Sequence, residues 1–177
     1  NSEHFYYYGK EIKETTALHA AIENNNLRVA KLLIENNKID INSKYINKFI
    51  KNEYACTQEK TPLYMAIELE NRGIVNLLLS KKDIDLNEKF TSKENAKSVY
   101  NIEKAPIHLA VEKENQEIIE ILLSNNKIDI NSQFIENYIS SSNRYFRAKT
   151  ALHIAAKKRN SNISKLLLSN DKIDVNN

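Results

Sequence analysis

One short block recurs four times along this chain, and its spacing limits what the chain can fold into. Thr16-Ala17-Leu18-His19 returns as Thr61-Pro62-Leu63-Tyr64, then as Ala105-Pro106-Ile107-His108, and last as Thr150-Ala151-Leu152-His153. The starts lie 45, 44 and 45 residues apart, and each is followed 26 positions later by an Asn: Asn42, Asn87, Asn131 and Asn176. A constant block joined to a segment that tolerates a one-residue change is the mark of stacked repeats with variable loops. Such an array is quasi-linear, so function is expected on the surface that the stacked repeats make together.

Each block reads as two short helices. In the first, Leu18, Ala21 and Ile22 fall at i, i+3 and i+4 and recur as Leu63, Ala66, Ile67, then Ile107, Ala110, Val111, then Leu152, Ala155, Ala156, giving one apolar stripe. The slot of Ala21, Ala66, Ala110 and Ala155 never varies, which predicts helices of adjacent repeats crossing too closely for a larger side chain. The second helix carries Val29, Leu32, Leu33 and their counterparts Ile74, Leu77, Leu78; Ile118, Ile121, Leu122; and Ile163, Leu166, Leu167. Thr16, Thr61 and Thr150 are N-cap residues by type, and Asn26, Asn71, Asn115 and Asn160 stand where they can cap the second helix. Both prolines, Pro62 and Pro106, follow a start by one residue, where a missing N–H does no harm. An Ile-Asp-aliphatic-Asn exit, as in Ile39-Asp40-Ile41-Asn42, then begins an extended segment.

The T-P-L-H-x-A start, the Leu-rich second helix and the Asp-aliphatic-Asn exit resemble ankyrin repeats. The resemblance covers most of the chain from Thr16 onward. It implies a mainly α fold: an ankyrin-like helix-turn-helix solenoid with long β-hairpin insertions between repeats. The repeats are 16–60, 61–104, 105–149 and 150–177 of a single domain, with 1–15 as the end of a preceding finger and the whole as part of a longer array. Asn largely replaces the glycines of the family's turns, and the period is ~11 residues longer than the family's. The extra length falls in Ser43–Lys60, Glu88–Lys104 and Ser132–Lys149, read as three elongated hairpin fingers side by side. In the repeat-start slots Thr16, Thr61 and Thr150, with His19, Tyr64, His108 and His153, the resemblance implies a structural role, the histidines hydrogen bonding to the cap and to neighbouring turns.

The fingers and the first fourteen residues hold every Phe and every Tyr but Tyr64. Tyr45, Phe90 and Phe134 each follow the exit Asn by three, and Cys56, Tyr100 and Tyr145 each precede the next start by five, so these slots are expected to face their equivalents in an aromatic ladder. Phe49, Lys51, Tyr54 and Tyr138, nearer the tips, are the finger candidates for partner contact. The second candidate surface is the concave groove beside the first helices, with Glu23, Glu68, Leu69, Glu112, Lys113, Lys157 and Lys158. It runs from acidic to basic, and Arg144 and Arg147 add to the basic end, which is read either as a solvated face or as a site for an acidic partner.

A formal charge of +3, from 26 Lys+Arg against 23 Asp+Glu, gives no strong pull toward nucleic acid. A lone cysteine excludes an internal disulfide and fits an intracellular, cytoplasmic protein. No run reaches the ~18 apolar residues of a membrane span. Two glycines cannot build a phosphate-cradling loop, the histidines are periodic with the core, and no clustered ligands suggest a metal, so no enzyme, cofactor or metal is implied. The reading is a monomeric, non-catalytic array that binds a protein partner through finger tips and groove. The alternatives are a nucleic-acid-binding module using basic and aromatic finger residues, or the recruitment part of a larger enzyme.

Overall fold

The structure is a computed structural model that describes residues 9–36, 38–95 and 98–177. The aromatic opening Phe5-Tyr6-Tyr7-Tyr8 lies outside the described residues. Four helix pairs follow the four starts: α1 (Ala17–Glu23) with α2 (Leu27–Glu35), α3 (Pro62–Glu68) with α4 (Arg72–Leu79), α5 (Pro106–Glu112) with α6 (Gln116–Leu123), and α7 (Ala151–Lys157) with α8 (Ser161–Leu168). Thr16 and Thr61 cap their helices by accepting from the backbone N–H three residues on, and Oδ1 of Asn26, Asn71, Asn115 and Asn160 does so for the second helices at 3.0–3.1 Å.

The first helices α1, α3, α5 and α7 pack in series, with α2, α4 and α6 stacked behind them. Ala66, Ala110 and Ala155 are fully buried at the crossings, where a larger side chain has no space. The second-helix core is set one residue differently from the sequence reading: Ile74, Val75 and Leu78, and likewise Ile118, Ile119 and Leu122, are fully buried. In α2, by contrast, Ala30 and Ile34 are buried while Val29 and Leu32 are exposed, because α2 packs on α1 and α4 and turns its remaining face to solvent.

The expectation of a mainly α chain is overturned. Among the described residues seven strands form one antiparallel sheet in chain order, and 37% of these residues are helix and 26% strand. The strands are β1 (Lys10–Glu14), β2 (Tyr45–Lys51), β3 (Tyr54–Lys60), β4 (Phe90–Asn95), β5 (Val99–Lys104), β6 (Phe134–Ile139) and β7 (Arg144–Lys149). The physical reason is length. The added residues give the finger arms six or seven residues each, about 20 Å of extended chain, enough for neighbouring fingers to pair with each other. The pairs Ala55↔Asn95 to Glu59↔Thr91, and Val99↔Ile139 to Glu103↔Ile135, join finger to finger, and β1 pairs with β2 in the same way. Asn52 closes the first finger at φ 55°, a conformation that Asn tolerates better than most residues.

The repeats are also bolted together by asparagines. The Asn42 amide donates to the Asp83 carbonyl at 2.8 Å and its oxygen accepts from the Asp85 N–H at 2.8 Å; Asn87 and Asn131 repeat the pattern on the next repeat. The exit aspartates Asp40, Asp85, Asp129 and Asp174 accept the N–H two residues on, at 2.8–3.1 Å. The exit is therefore a turn, with the strand starting three residues later at Tyr45 and its equivalents.

Candidate functional site

Residues opposite one another in an antiparallel sheet share a face, so the register sorts the finger residues. One face carries Tyr45, Phe49, Tyr54, Phe90, Tyr100, Phe134, Tyr138 and Tyr145; the other carries Ile46, Ile50, Val99, Ile135, Ile139 and Phe146. The aromatic face is turned toward the first helices. Lys60 Nζ reaches Glu68 at the end of α3, and Lys104 Nζ reaches Glu112 at the end of α5, both at 2.7 Å. Sheet and first helices thus meet in a corner with an aromatic wall.

At the foot of the wall runs a row of alternating rings and ammonium groups: Tyr45, Lys60, Phe90, Lys104, Phe134, Lys149. Lys60 lies 5.9 Å from the Phe90 centroid, while Lys104 and Lys149 lie 4.7 and 5.3 Å from that of Phe134. These rings do not meet their equivalents in adjacent fingers, as the spacing suggested. Each instead covers the fourth residue of its own repeat start: Tyr45 against His19 at 6.0 Å, Phe90 stacked on Tyr64 at 5.0 Å, Phe134 against His108 at 6.1 Å. The strand base stands directly over the helix start, so the nearest ring is below and not beside.

The ladder forms higher up. Glu11, Phe49, Cys56, Glu94, Tyr100, Tyr138 and Tyr145 make one row across all seven strands. Tyr138 lies edge-on to Tyr100 at 6.5 Å and stacks on Tyr145 at 5.3 Å, so a residue read as a tip candidate is also the middle rung. Phe49 packs against Tyr54 at 6.2 Å and stays partly exposed, with Lys51 at the end of the same strand. Arg147 lies over the Tyr145 ring at 4.9 Å, and Arg144 falls on the opposite face.

The floor of the corner is narrow. Pro62–Ile67 and Pro106–Val111 are buried throughout, so α3 and α5 expose only short lips where they turn into the second helices, while α1 and α7 also expose Ala17, Ala20, His153 and Ala156. The lips are Glu23-Asn24-Asn25, Glu68-Leu69-Glu70, Glu112-Lys113-Glu114 and Lys157-Lys158-Arg159, which contain every groove residue that the sequence proposed. The last residue of each lip has positive φ, from 53° to 58°. It carries a side chain where Gly would be easiest, and the reason is visible in its contacts. The N-cap Asn of the next repeat donates to it: Asn71 to Asn25, Asn115 to Glu70 at 3.0 Å, Asn160 to Glu114 at 2.9 Å. Lys113 and Lys158 bridge to Glu70 and Glu114 at 3.8 and 2.8 Å. Neither the Asn bolts nor this bridge was foreseen, although both lie at invariant spacing from the starts.

The repeat-start histidines make local hydrogen bonds. His108 accepts from the Ala105 N–H at Nδ1 (3.1 Å), which leaves Nε2–H to donate to the Ser132 carbonyl at 2.8 Å. Burial pushes its pKa down to about 4, opposed by the bond to Ser132; His19 is shifted down for the same first reason. His153 pairs with the Thr150 hydroxyl at 2.9 Å. Among the described residues no group of ligands could hold a metal ion, and no helix is long and apolar enough to cross a membrane. A shallow cleft of about 580 Å³ between the ends of α4 and α6, lined by Asn76, Ser80, Ser124, Asn125 and Asn126 among others, offers no ionisable side chain for catalysis.

The family model for ankyrin repeats (3 copies) matches residues 3–90, 49–134 and 89–177. The chain belongs to the ankyrin repeat family. Ankyrin repeats are generally protein–protein interaction modules and typically non-catalytic, and the finger sheet here is an elaboration of that solenoid. No curated protein matches the chain.

Proposed function

We propose that this ankyrin array is an intracellular, non-catalytic recognition module that holds a protein partner in the corner between the aromatic wall and the lips. The observation that carries the reading is the wall itself: eight rings on one face of a sheet that spans every repeat, all but Phe134 at least partly exposed, beside exposed side chains from each lip. Aromatic anchors beside a polar rim are the composition of protein-binding surfaces. Nucleic acid is the weaker reading, because Tyr138, Tyr145, Phe90 and Phe134 already spend ring faces on each other, on Tyr64, on Arg147 or on Lys104. Glu23, Glu70 and Glu94 also line the path a polyanion would follow along the array.

The test is capture of a partner from the source cell, followed by affinity measurements on Phe49→Ala at the tip and Leu69→Glu on a lip. A true hot spot costs about 2 kcal/mol or more. Loss at both sites supports the corner, and loss at Leu69 alone would make the fingers spacers. Normal binding by both variants would sink the reading.

A further inference from the structure

Comparing the four equivalent strand-plus-helix segments isolates one that departs from the rest. Segments 10–25, 55–70 and 99–114 each contain three carboxylates against one or two lysines. The equivalent segment 144–159 contains Arg144, Arg147, Lys149, Lys157, Lys158 and Arg159 and no carboxylate. Every acidic slot has changed. Glu14, Glu59 and Glu103 become Ala148; Glu23, Glu68 and Glu112 become Lys157; and the acceptors Asn25, Glu70 and Glu114 become Arg159.

The consequence for the corner is direct. Lys60 and Lys104 are neutralised by Glu68 and Glu112, eight residues further on, at 2.7 Å. Lys149 meets a lysine at that position and pairs across the sheet with Glu136 at 2.7 Å instead, which leaves Lys157 with no ion pair among the described residues. Arg147, on the same sheet face, stands where the preceding fingers have Ile102 and Gln58; it lies over Tyr145 and makes no ion pair among the described residues, because Glu136, opposite it in the sheet, is held by Lys149. Arg159, on the lip, likewise has no ion pair among the described residues.

Building on the recognition reading above, we propose that the β7–α7 end of the corner docks an acidic peptide segment of the partner. Its carboxylates would answer Arg147, Lys157 and Arg159, and its backbone would run against the Tyr138–Tyr145 stack. A short peptide fits better than a nucleic acid because the positive field is confined to one repeat. The neighbouring lips present Glu112 and Glu114, which a long polyanion would have to cross.

The test uses the whole chain and a fluorescein-labelled peptide of alternating Glu and Ala, its Gln counterpart, and a single-stranded oligothymidine of matching length. The variant Arg147→Gln/Lys157→Glu installs residues that other repeats already carry at these slots, so it keeps the fold and recreates the Lys60–Glu68 pairing with Lys149. A second variant, Lys10→Gln/Lys31→Glu, makes the same change in net charge on distant elements. The expected result is saturable binding of the Glu peptide, none of the Gln peptide, and a loss of at least about tenfold in the first variant but not the second, with unchanged melting curves. Equal binding of the Gln peptide, equal weakening in both variants, no saturable binding of the Glu peptide, or tighter binding of the oligothymidine each overturns the proposal. If the Glu peptide fails while a captured partner still responds to Leu69→Glu, only the acidic occupant falls; if both fail, the recognition reading falls with it.

Discussion

In the helical stack every repeat buries aliphatic side chains completely, whereas among the described residues of the finger strands only Ser92 and Phe134 are buried. Both regions repeat with the same period, yet they are stabilised by different means. The stack rests on close packing around invariant alanines. The sheet, solvated on both faces, rests on its backbone ladder, on ring pairs and on lysines held over rings. A region held by packing tolerates little change at its core, while a region held by its backbone leaves side chains free to vary. The fourth repeat departs from the others at such exposed positions, Arg147 and Ala148 in the sheet and Lys157 and Arg159 on the lip.

The largest expected effect tests the stack from inside. His108 is neutral when folded, with its pKa lowered from 6.5 to about 4 by burial. The unfolded chain therefore binds a proton between those values that the folded chain refuses. The stability it contributes is present above about pH 6.5 and is lost as pH falls toward 4, by about 3 kcal/mol. Urea midpoints measured from pH 7 to pH 4 check this, and His108→Gln should flatten the profile. A profile unchanged by His108→Gln would mean that the ring is not the titrating group.

Next comes a direct contrast between the regions. Ala110→Leu should overpack the crossing of α5 with its neighbours and cost roughly 1–3 kcal/mol. Tyr138→Ala removes the middle rung of the Tyr100–Tyr138–Tyr145 row and should cost about 1 kcal/mol, the scale of an aromatic pair. Its effect should appear as faster amide exchange in β5, β6 and β7, with the helices little changed. Equal global destabilisation by the two would erase the distinction between stack and sheet.

The smallest effect is a gain. Arg159 has φ 58° and lacks the bridging contacts of Glu70 and Glu114, so Arg159→Gly should relieve strain and stabilise by about 0.5–1 kcal/mol. Glu114→Gly relieves the same strain but breaks its bonds to Asn160 and Lys158, and should bring no gain. Matched thermal melts of the two variants decide it.

The helices were legible because their signals are local: a cap, an apolar stripe and an invariant Ala sit within a few residues of each other. The lips were legible for the same reason, since Glu68, Leu69, Glu112, Lys113, Lys157 and Lys158 follow the stripe directly. The continuous sheet was not. Its pairings join residues about forty apart, such as Ala55 with Asn95, and nothing within one finger states that its arm will meet the next. The misread ladder has the same origin. Spacing put Tyr45, Phe90 and Phe134 in one slot but did not say that a helix start lay closer than the next finger. A period-2 reading of Tyr45, Asn47, Phe49 and Lys51 would have revealed the single aromatic face.

The sheet that joins the fingers also fixes a pitch. Each repeat adds two strands, about 9.6 Å across the sheet at the usual strand separation, while packed helices advance by about 8–10 Å. The two layers therefore lengthen at nearly the same rate, and neither can fan open without breaking strand pairs or opening the alanine crossings. An array tied along both layers resists the bending and twisting available to a stack of helices alone. Its corner keeps its curvature whether occupied or empty, so a partner would meet a surface already shaped, with little ordering entropy to lose on docking.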